Sequence, residues 1–419
     1  MEAILLRRVV THVRDPDVQS GRSRDSFIIK WGPDGGKEEV KSMGIDASGL
    51  NKTTSAVSSR ALGNDGQLFR CKMNRKHLIS SRQHTATDPP NMTRVLAFGA
   101  GGVGCVYAYI LHKAGASVTA VCRTNYTVVK EKGITIRSKI FGRQHFQPTA
   151  VRTASEALEH GPFDYILVCS KAFPGTAEMI KDAVTPRQTA IVLAQNCIGV
   201  EEDYAKLYPH NPIISGVVYL PVTQVESGIV EHGPLERFEI GTYPPNASSA
   251  AKESCQTLSD LYKAGGGSAP VFDDVQPQKW IKVAVNVAWN PTTALTMCDD
   301  ANYLRSSPRA EKMIRKVMRE VASIATAAGY PDVITDEVIE RDIQRPISRL
   351  ETGGKEPSML TDVREGRAME VEAIVGNTLR IGERHGVVTP YLEMLYTLAK
   401  GRSYAIAPDG EWKPIARHG

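Results

Sequence analysis

Long apolar runs and metal-ligand spacings are both missing from this 419-residue sequence. No apolar run approaches the ~20 residues that a membrane-spanning helix needs, which argues against an integral membrane protein. The ten histidines and seven cysteines include no CxxC, no HxxxH and no mixed Cys/His spacing, so we expect no bound metal. The cysteines are odd in number and mostly lie inside apolar runs. This pattern is typical of reduced, buried thiols and indicates a cytoplasmic protein.

An excess of one charge is also missing from most of the chain. The net charge of +5 comes entirely from residues 1–93, which hold fifteen Lys and Arg against ten Asp and Glu. Residues 94–419 hold 36 of each sign and are neutral overall. A neutral body argues against a nucleic-acid-binding surface there. The length and composition are ordinary for a globular protein with two domains.

The first ninety-one residues lack the sustained hydrophobic period that the rest of the chain shows. Their composition is polar and rich in Ser, Arg, Asp and Gly, which is typical of disordered or linker sequence. We therefore expect 1–91 to be a poorly ordered N-terminal extension, appended or mis-assigned, without a catalytic part. An amphipathic stretch at residues 4–10 has some features of a mitochondrial presequence, but Glu2, Asp15 and Asp17 argue against one.

The most informative stretch is residues 94–123, where a strand, a glycine-rich turn, a helix and a second strand follow one another. This is the order and length that a dinucleotide-binding βαβ unit requires. The helix N-terminus after the turn favours a pyrophosphate, because its free N–H groups and its dipole attract anions. The alternative is a glycine-rich connection in an ordinary α/β domain. The turn expected to contact the cofactor consists of Gly99, Ala100, Gly101, Gly102, Val103 and Gly104.

The residue after the second strand indicates which dinucleotide binds. NAD-binding units present Asp or Glu here to the ribose hydroxyls, whereas this chain has Arg123 followed by Thr124 and Asn125. A guanidinium beside a hydroxyl and an amide suits a 2′-phosphate, which predicts NADPH as the cofactor. A solvent-exposed arginine without this role is the alternative.

Regular alternation of strands and helices predicts a Rossmann-type α/β domain over residues 92–274. Lys171 and Asn196 each follow a buried apolar strand. Because the carboxyl ends of parallel strands face the ligand crevice, both are candidate cofactor contacts. Three later strands should continue the same sheet, in antiparallel order because their connections are short. These strands are expected at 213–219, 228–232 and 237–241, after helices at 126–132, 154–160 and 176–184 and a strand pair at 134–140 and 145–151.

Helical spacing dominates the remaining sequence, which predicts an all-α domain over residues 275–419. Gly386 follows the penultimate helix and Pro390 opens the last one, as helix ends and starts favour. The helices are expected at 278–290, 308–328, 336–341, 358–364, 368–385 and 390–401.

The first of these helices carries a polar stripe. Lys282, Asn286 and Asn290 recur every four residues and so lie on one face, between apolar residues. A lysine and two amides are costly to bury without partners. They therefore line a wet crevice or, alternatively, form ordinary helix–helix hydrogen bonds.

Taken together, these motifs resemble the ketopantoate reductase (2-dehydropantoate 2-reductase) family over nearly all of residues 92–400. The resemblance rests on the glycine turn, Lys171, Gln195-Asn196-x-x-Gly199, the Lys282 helix ending in Asn290-Pro291, Ser358-Met359-Leu360-x-Asp362 and Glu370. It implies an NADPH-binding Rossmann domain, a helical domain that completes the site, and reduction of 2-dehydropantoate to pantoate. It further implies Lys282 as general acid, Glu370 as a second catalytic residue, and Asn286, Asn290 and Ser358 as substrate contacts. Lys171, Asn196 and Arg123 would contact the cofactor.

The chemistry of a keto-acid reduction agrees with these residue types. A proton donor is needed at the developing alkoxide, and a protonated lysine supplies both a proton and a positive charge. Lowering the pKa of Lys282 from its ordinary value of about 10.4 to about 8 would require roughly 3 kcal/mol of desolvation. Glu370, if close, would oppose that shift, so we expect it to orient Lys282 or a hydroxyl.

Two features depart from the family pattern. Cys197 stands where the family usually has glycine, so its side chain could narrow the nicotinamide site or mark a different substrate. The long N-terminal extension is the other departure. For Ser358 a helix N-cap is an equal alternative to substrate contact, and for Glu370 the alternative is a solvated helix face.

Two other functions remain open at this stage. One is a related NADPH-dependent reductase of another small keto acid or secondary metabolite. The other is a non-catalytic NADP-sensing protein, against which Lys282 and Glu370 argue together. The sequence determines neither the exact keto substrate nor the oligomeric state, for which a homodimer is one option.

Overall fold

The computed structural model describes residues 92–407 and, before them, only the backbone of five strands. The chain divides into two compact units, Met1–Asp88 and Pro89–Gly419. In the first unit, three strands form an antiparallel sheet and two form an antiparallel pair. The other residues to which we assigned poor order lie outside the described ones. The five strands are β1 (Val9–Val13), β2 (Ser26–Trp31), β3 (Glu39–Gly44), β4 (Ala56–Leu62) and β5 (Leu68–Asn74).

A seven-stranded sheet forms the centre of the second unit, in the order β10-β7-β6-β11-β12-β13-β16. Its first six strands are parallel, and β16 pairs with β13 in antiparallel order. This confirms the Rossmann-type α/β fold. The strands are β6 (Arg94–Phe98), β7 (Ser117–Val121), β10 (Thr149–Val151), β11 (Tyr165–Val168), β12 (Ala190–Leu193), β13 (Ile213–Tyr219) and β16 (Arg237–Tyr243).

Helical segments cover both faces of this sheet. One apolar core includes side chains of two helices, α1 (Gly102–Lys113) and α4 (Ser249–Ala264). The other includes Tyr204 of helix α3 (Glu201–Leu207) and residues of two 3₁₀ segments. These segments had been expected as α-helices, and helix α2 (Tyr126–Lys132) lies where predicted. The 3₁₀ segments are Glu156–His160 and Glu178–Ala183.

A separate four-stranded sheet corrects part of the sequence prediction. Its order is β14-β15-β8-β9, so the strand near residue 230 does not continue the main sheet. The strand pair expected at 134–140 and 145–151 forms as β8 and β9, but its second strand ends at Phe146, and β10 joins the main sheet. Strand β13 is parallel to β12, because the unpredicted helix α3 lies between them and provides the crossover. The strands are β8 (Ile134–Ser138), β9 (Gly142–Phe146), β14 (Val222–Glu226) and β15 (Ile229–His232).

The C-terminal half is helical, as expected, with its own apolar core. Its longest helix, α5, continues past Pro291, where the sequence had suggested an end. All described strands precede residue 244, so we propose 274/275 as the boundary between the two halves. The helices are α5 (Gln276–Thr296), α6 (Asp300–Ser306), α7 (Ala310–Ala327), α8 (Asp336–Ile347), α9 (Ser358–Arg364), α10 (Asn377–Arg384) and α11 (Pro390–Ile406), with a π-helical turn at Glu372–Gly376.

Among the residues with described positions, no helix combines the length and apolar character needed to cross a membrane.

Candidate active site

The glycine turn between β6 and α1 has the geometry of a phosphate-binding turn. Gly99 has a φ of +103°, and a Cβ at Gly104 would lie 2.0 Å from the carbonyl oxygen of Gly99. Both positions therefore require glycine for the fold itself. Gly101, the N-cap of α1, differs because a Cβ there would meet no atom of the described residues within 4 Å. The protein fold alone thus gives no reason for glycine at this position.

The surroundings of this turn fit a dinucleotide. No side chain caps the N-terminus of α1, and no acidic residue lies in its first turn, so its N–H groups are free to meet an anion. The Asn125 side chain donates to the carbonyl oxygen of Ala100 at 2.7 Å and supports the turn from the end of β7. Arg123 is exposed beside it. A glycine that no packing requires, at an uncapped helix N-terminus, is the observation that matches a pyrophosphate.

Arg152 is a second cation at this end of the sheet. It follows β10, whose Val151 is the register partner of Val121 in β7. Its guanidinium lies over the Tyr126 ring, 4.0 Å from the ring centroid. Sequence reasoning missed this residue, because the pairing of β10 with β7 joins segments about thirty residues apart.

Lys282 lies on α5 beside the carboxyl-terminal end of β13. Its amine donates to the side-chain oxygen of Asn196 at 2.8 Å and to the carbonyl oxygen of Val218. It also lies 4.9 Å from the ring centroid of Tyr219. The structure therefore brings together two residues that the sequence had placed in separate roles, Lys282 as acid and Asn196 as cofactor contact.

Burial lowers the pKa of Lys282 to about 7, and the positive charges of Lys279 and Lys355 act in the same direction. The carboxylate of Glu239 opposes this effect. The sequence had assigned the opposing role to Glu370, so this expectation is corrected. A proton donor with a pKa near neutrality can both release and regain its proton at physiological pH.

The other members of the α5 stripe lie at the cleft. Asn286 lines it, and Asn290 is buried with only 4% of its surface exposed. The Asn290 side-chain oxygen accepts from the Ser358 hydroxyl and from the backbone N–H of Met359, each at 3.1 Å. The N-cap of α9 is Pro357, not Ser358, so the alternative reading of Ser358 as an N-cap is wrong. Asn290 on α5 instead accepts a hydrogen bond from one of the free backbone N–H groups at the start of α9.

Glu370 contacts the loop after β11 and not Lys282, whereas its expected contact with a substrate hydroxyl stays a prediction. Its Oε1 accepts from the backbone N–H of Ala172, in the loop after β11, at 2.9 Å. Within the described part of the chain, no hydrogen bond or ion pair joins it to Lys282. Burial raises the pKa of Glu370, while the Ala172 N–H and the Lys171 ammonium oppose that rise.

Lys171 connects the same loop to the helical half. Its amine forms an ion pair with Asp362 at 2.6 Å and donates to the carbonyl oxygen of Ala368 at 3.2 Å. Lys171 also lines the cleft, so its side chain is near the place expected for the cofactor but is paired with a carboxylate.

Cys197 does not narrow the large cleft. It is 4% exposed, belongs to the apolar core on one face of the sheet, and is absent from the cleft lining. Burial raises the pKa of its thiol, which keeps the sulfur protonated and unreactive at neutral pH.

The large cleft has a volume of about 1320 Å³ and lies between the sheet and the helical half. A small adjoining cavity of about 10 Å³ is lined by Asn196, Cys197, Lys279 and Lys282 among others. Asn286 borders both spaces. Lys282 and Asn196 thus lie at the small cavity, beside Asn286, which also lines the cleft. The predicted residues that line the cleft are Gly101, Gly102, Val103, Lys171, Asn286, Asn290 and Ser358.

A buried ion pair near Lys282 escaped the sequence analysis. Lys279 forms an ion pair with Glu201, and both side chains are nearly fully buried. Lys279 also donates to the Ser215 hydroxyl at 2.9 Å, and Gln276 donates to Glu201 at 3.1 Å. Burial favours the neutral form of Glu201, but the Lys279 charge and the hydrogen bonds outweigh it and lower the pKa. In the sequence, the only sign of this ion pair was a second lysine, Lys279, one helical turn before Lys282.

Two family models match this chain. The model described as ketopantoate reductase PanE/ApbA matches residues 95–245, and the model of its C-terminal part matches residues 274–403. Among individual relatives, an uncharacterized protein of Saccharomyces cerevisiae is 30% identical over 336 residues, which is 73% of this chain and 92% of that protein.

Solved structures agree with the family models. The crystal structure of 2-dehydropantoate 2-reductase from Methylococcus capsulatus is 31% identical, with a TM-score of 0.65 over 75% of this chain and 98% of that one. A ternary structure of D-mandelate dehydrogenase with NADH and anilino(oxo)acetate has a TM-score of 0.65 at 23% identity, over 75% of this chain and 99% of that one. At that identity the likeness concerns the fold.

Proposed function

The chain belongs to the ketopantoate reductase family, and on that premise we propose that it reduces 2-dehydropantoate to pantoate with NADPH. Membership makes it an oxidoreductase that acts on CH–OH and C=O groups, with a small keto acid as substrate and a nicotinamide dinucleotide as cofactor. The choice of 2-dehydropantoate, the preference for NADPH and the roles of individual residues are the proposal.

The proposed cofactor site extends from the glycine turn to the end of β7. The free N–H groups at the start of α1 hold the pyrophosphate, and Gly101 leaves room for it. Arg123 and Arg152, at the ends of neighbouring strands, bind the 2′-phosphate that distinguishes NADPH from NADH. When bound, the nicotinamide supplies the hydride for the reduction.

The chain's own residues manage the proton and the substrate. Lys282 donates its proton to the carbonyl oxygen as that oxygen becomes an alkoxide, and it regains a proton from solvent afterwards. Asn196 and the Val218 carbonyl hold its amine in place. Asn286 and the joined pair of Asn290 and Ser358 provide polar groups for the substrate at the cleft wall.

One observation carries the proposal: the Lys282 amine, held by Asn196 and the Val218 carbonyl, lies at the small cavity that shares Asn286 with the cleft, and burial lowers its pKa to about 7. A lysine with that pKa, beside a cleft that fits a dinucleotide, is suited to proton transfer during keto-acid reduction.

The direct test is NADPH oxidation by the purified protein with 2-dehydropantoate as substrate. We expect Lys282→Met to lower kcat by about 10²–10⁴-fold, as loss of a general acid does, without changing the affinity for NADPH. Lys252→Met, at an exposed position on α4, is the matched control and should retain full activity. Unchanged turnover in Lys282→Met would remove Lys282 as the acid.

Charged side chains of the cleft wall favour a second candidate, a keto acid with an additional charged group. Lys355 lines the cleft, as do Arg345 and Arg367, which pair with Asp342 and Asp362. The two methyl groups of 2-dehydropantoate would gain little from such a wall. Comparing kcat/KM for 2-dehydropantoate with that for keto acids carrying a second carboxylate decides between the two substrates.

A further inference from the structure

Glu239 is a buried carboxylate for which the reductase mechanism has no use. It lies on β16 and is only 7% exposed. One of its oxygens pairs with the Arg237 side chain at 2.7 Å. The other, Oε2, is buried and has no hydrogen-bond partner among the described residues. Burying a carboxylate oxygen without a hydrogen bond costs free energy of folding, so the presence of Glu239 at this position needs an explanation.

The strand register shows what Glu239 faces. In the antiparallel pair of β13 and β16, Glu239 is opposite Val217 and Arg237 is opposite Tyr219. Paired residues point to the same face of a sheet, and so do residues two apart. Val217 lines the small cavity together with Lys279 and Lys282. Glu239 therefore points to the face of the sheet that α5 covers.

Contacts of α5 with this face support the same placement. Lys279 reaches Ser215, two residues before Val217, and Lys282 lies over the ring of Tyr219, two residues after it. The two lysines thus bracket Val217 on β13, and Glu239 lies beside Val217 on the neighbouring strand.

We propose that Glu239 is the counter-charge that keeps Lys282 protonated between turnovers, and that Arg237 limits this effect by pairing with the same carboxylate. The inference rests on the proposed function, in which Lys282 is the proton donor. Glu239 does not contact substrate or cofactor in this role; it acts through Lys282 and is a positioning residue.

The other charged and titratable groups around Lys282 cannot replace Glu239. Lys279 on α5 and Lys355 before α9 are positive and disfavour the protonated, charged form of Lys282. Lys279 is itself paired with Glu201. Tyr219 on β13 has its pKa raised to about 12 by burial, and burial also raises that of the Cys197 thiol after β12, so both stay neutral. Glu239 is therefore the carboxylate among the groups that act on Lys282.

The test is the pH at which Lys282 loses its proton, measured in the full-length protein. ¹⁵N NMR titration of the lysine amines reports this without any turnover, with Lys282→Arg identifying the signal. In Glu239→Gln we expect the midpoint to fall by about 1 pH unit, as loss of a nearby opposite charge predicts. In Arg237→Met the midpoint should rise, because the carboxylate loses its competing partner and a positive charge is removed. Glu253→Gln, an exposed change on α4, is the control and should leave it unchanged.

The kinetic form of the test uses any keto acid that the enzyme reduces. The pH at which kcat/KM falls should be lower in Glu239→Gln and higher in Arg237→Met. A purely structural role would lower the rate equally at all pH values and leave both midpoints in place, which would overturn the proposal. If Glu239→Gln does not fold, the Arg237→Met midpoint decides alone. Absence of any reductase activity would contradict the proposed function. The NMR midpoints would still test whether Glu239 changes the pH at which Lys282 loses its proton.

Discussion

At the scale of single residues, the charge of Lys282 sets the behaviour of the site. Its pKa of about 7 results mainly from burial, with two lysines lowering it further and one carboxylate raising it. A lysine on an open surface would remain charged to about pH 10 and would release its proton poorly. The cost of holding an ammonium group in this environment is what makes it an effective acid.

A pH dependence of the rate follows from this value. Reduction requires the protonated amine, so kcat/KM should be level below the pKa of Lys282, about 7, and fall as pH rises through it. Above that point the protonated fraction decreases about tenfold per pH unit. Initial rates of NADPH oxidation between pH 5.5 and pH 9 (roughly the range in which a lysine with such a pKa titrates) measure this. A rate that stays level to pH 9 would contradict the assignment, and the residual rate of Lys282→Met should lack this limb.

Cofactor preference is a second property of single residues. Arg123→Ala should weaken NADPH binding by about 10- to 100-fold, since a hydrogen bond to a charged group contributes roughly 1.5–3 kcal/mol. Binding of NADH should change little, because it lacks the 2′-phosphate. Fluorescence titration with both dinucleotides gives the ratio. Lys130→Ala, on the exposed side of α2, serves as a control for general loss of positive charge.

At the scale of elements, two glycines of the turn before α1 have different roles, one in folding and one in binding. Gly104→Ala places a methyl group 2.0 Å from the Gly99 carbonyl oxygen, so it should destabilise the fold by about 1–3 kcal/mol or more. Gly101→Ala places its methyl group more than 4 Å from every described residue other than its chain neighbours and should leave stability unchanged. We expect Gly101→Ala instead to weaken dinucleotide binding. Thermal unfolding with and without NADPH distinguishes the two, and equal stability of both variants would contradict this view of the turn.

The contact between α5 and α3 depends on the buried ion pair. Lys279→Met leaves Glu201 buried without its counter-charge, which should cost about 3–5 kcal/mol. Adding Glu201→Gln should restore part of that loss, because an amide is cheaper to bury than a carboxylate. Urea denaturation of the two single variants and the double variant measures the coupling. Additive effects would show that the pair does not act as a unit.

At the scale of the whole molecule, the site depends on contacts between the two halves of the second unit. The ion pair of Lys171 with Asp362 and the hydrogen bond from Ala172 to Glu370 connect the loop after β11 to the helical half. On another side, Arg384 binds both carboxylate oxygens of Glu202 at 2.9 Å. These contacts place the polar wall of the helical half opposite the glycine turn.

The first unit is not expected to contribute to catalysis. The family models begin at residue 95, and all residues proposed for the site lie after that point. A chain that begins at Met92 should therefore keep kcat and KM within about twofold of the full-length values, as an independent domain would. Steady-state kinetics of the two proteins test this. A large loss of activity, with the shorter protein still folded by circular dichroism, would assign a function to the first unit.

Local pattern alone determined the βαβ unit, the glycine turn, the α5 stripe and the division into α/β and helical halves, because each depends on spacing within one stretch of chain. The bounds of α2 and α9 and the start of α11 followed from the same kind of signal, whereas α11 continues five residues past its predicted end. For the sheets, the sequence prediction failed over which strands pair, as with the separate four-stranded sheet that includes β15.

Only the tertiary structure decided which side chains meet. In the structure, Lys282 donates to Asn196, Glu370 accepts from the backbone of Ala172, and Glu239 points to the sheet face that α5 covers. The first two contacts join residues 86 and 198 positions apart. The geometry of all three follows from strand register and helix packing. No local pattern records either of those, since a shift of one residue in register sends the same side chain to the opposite face.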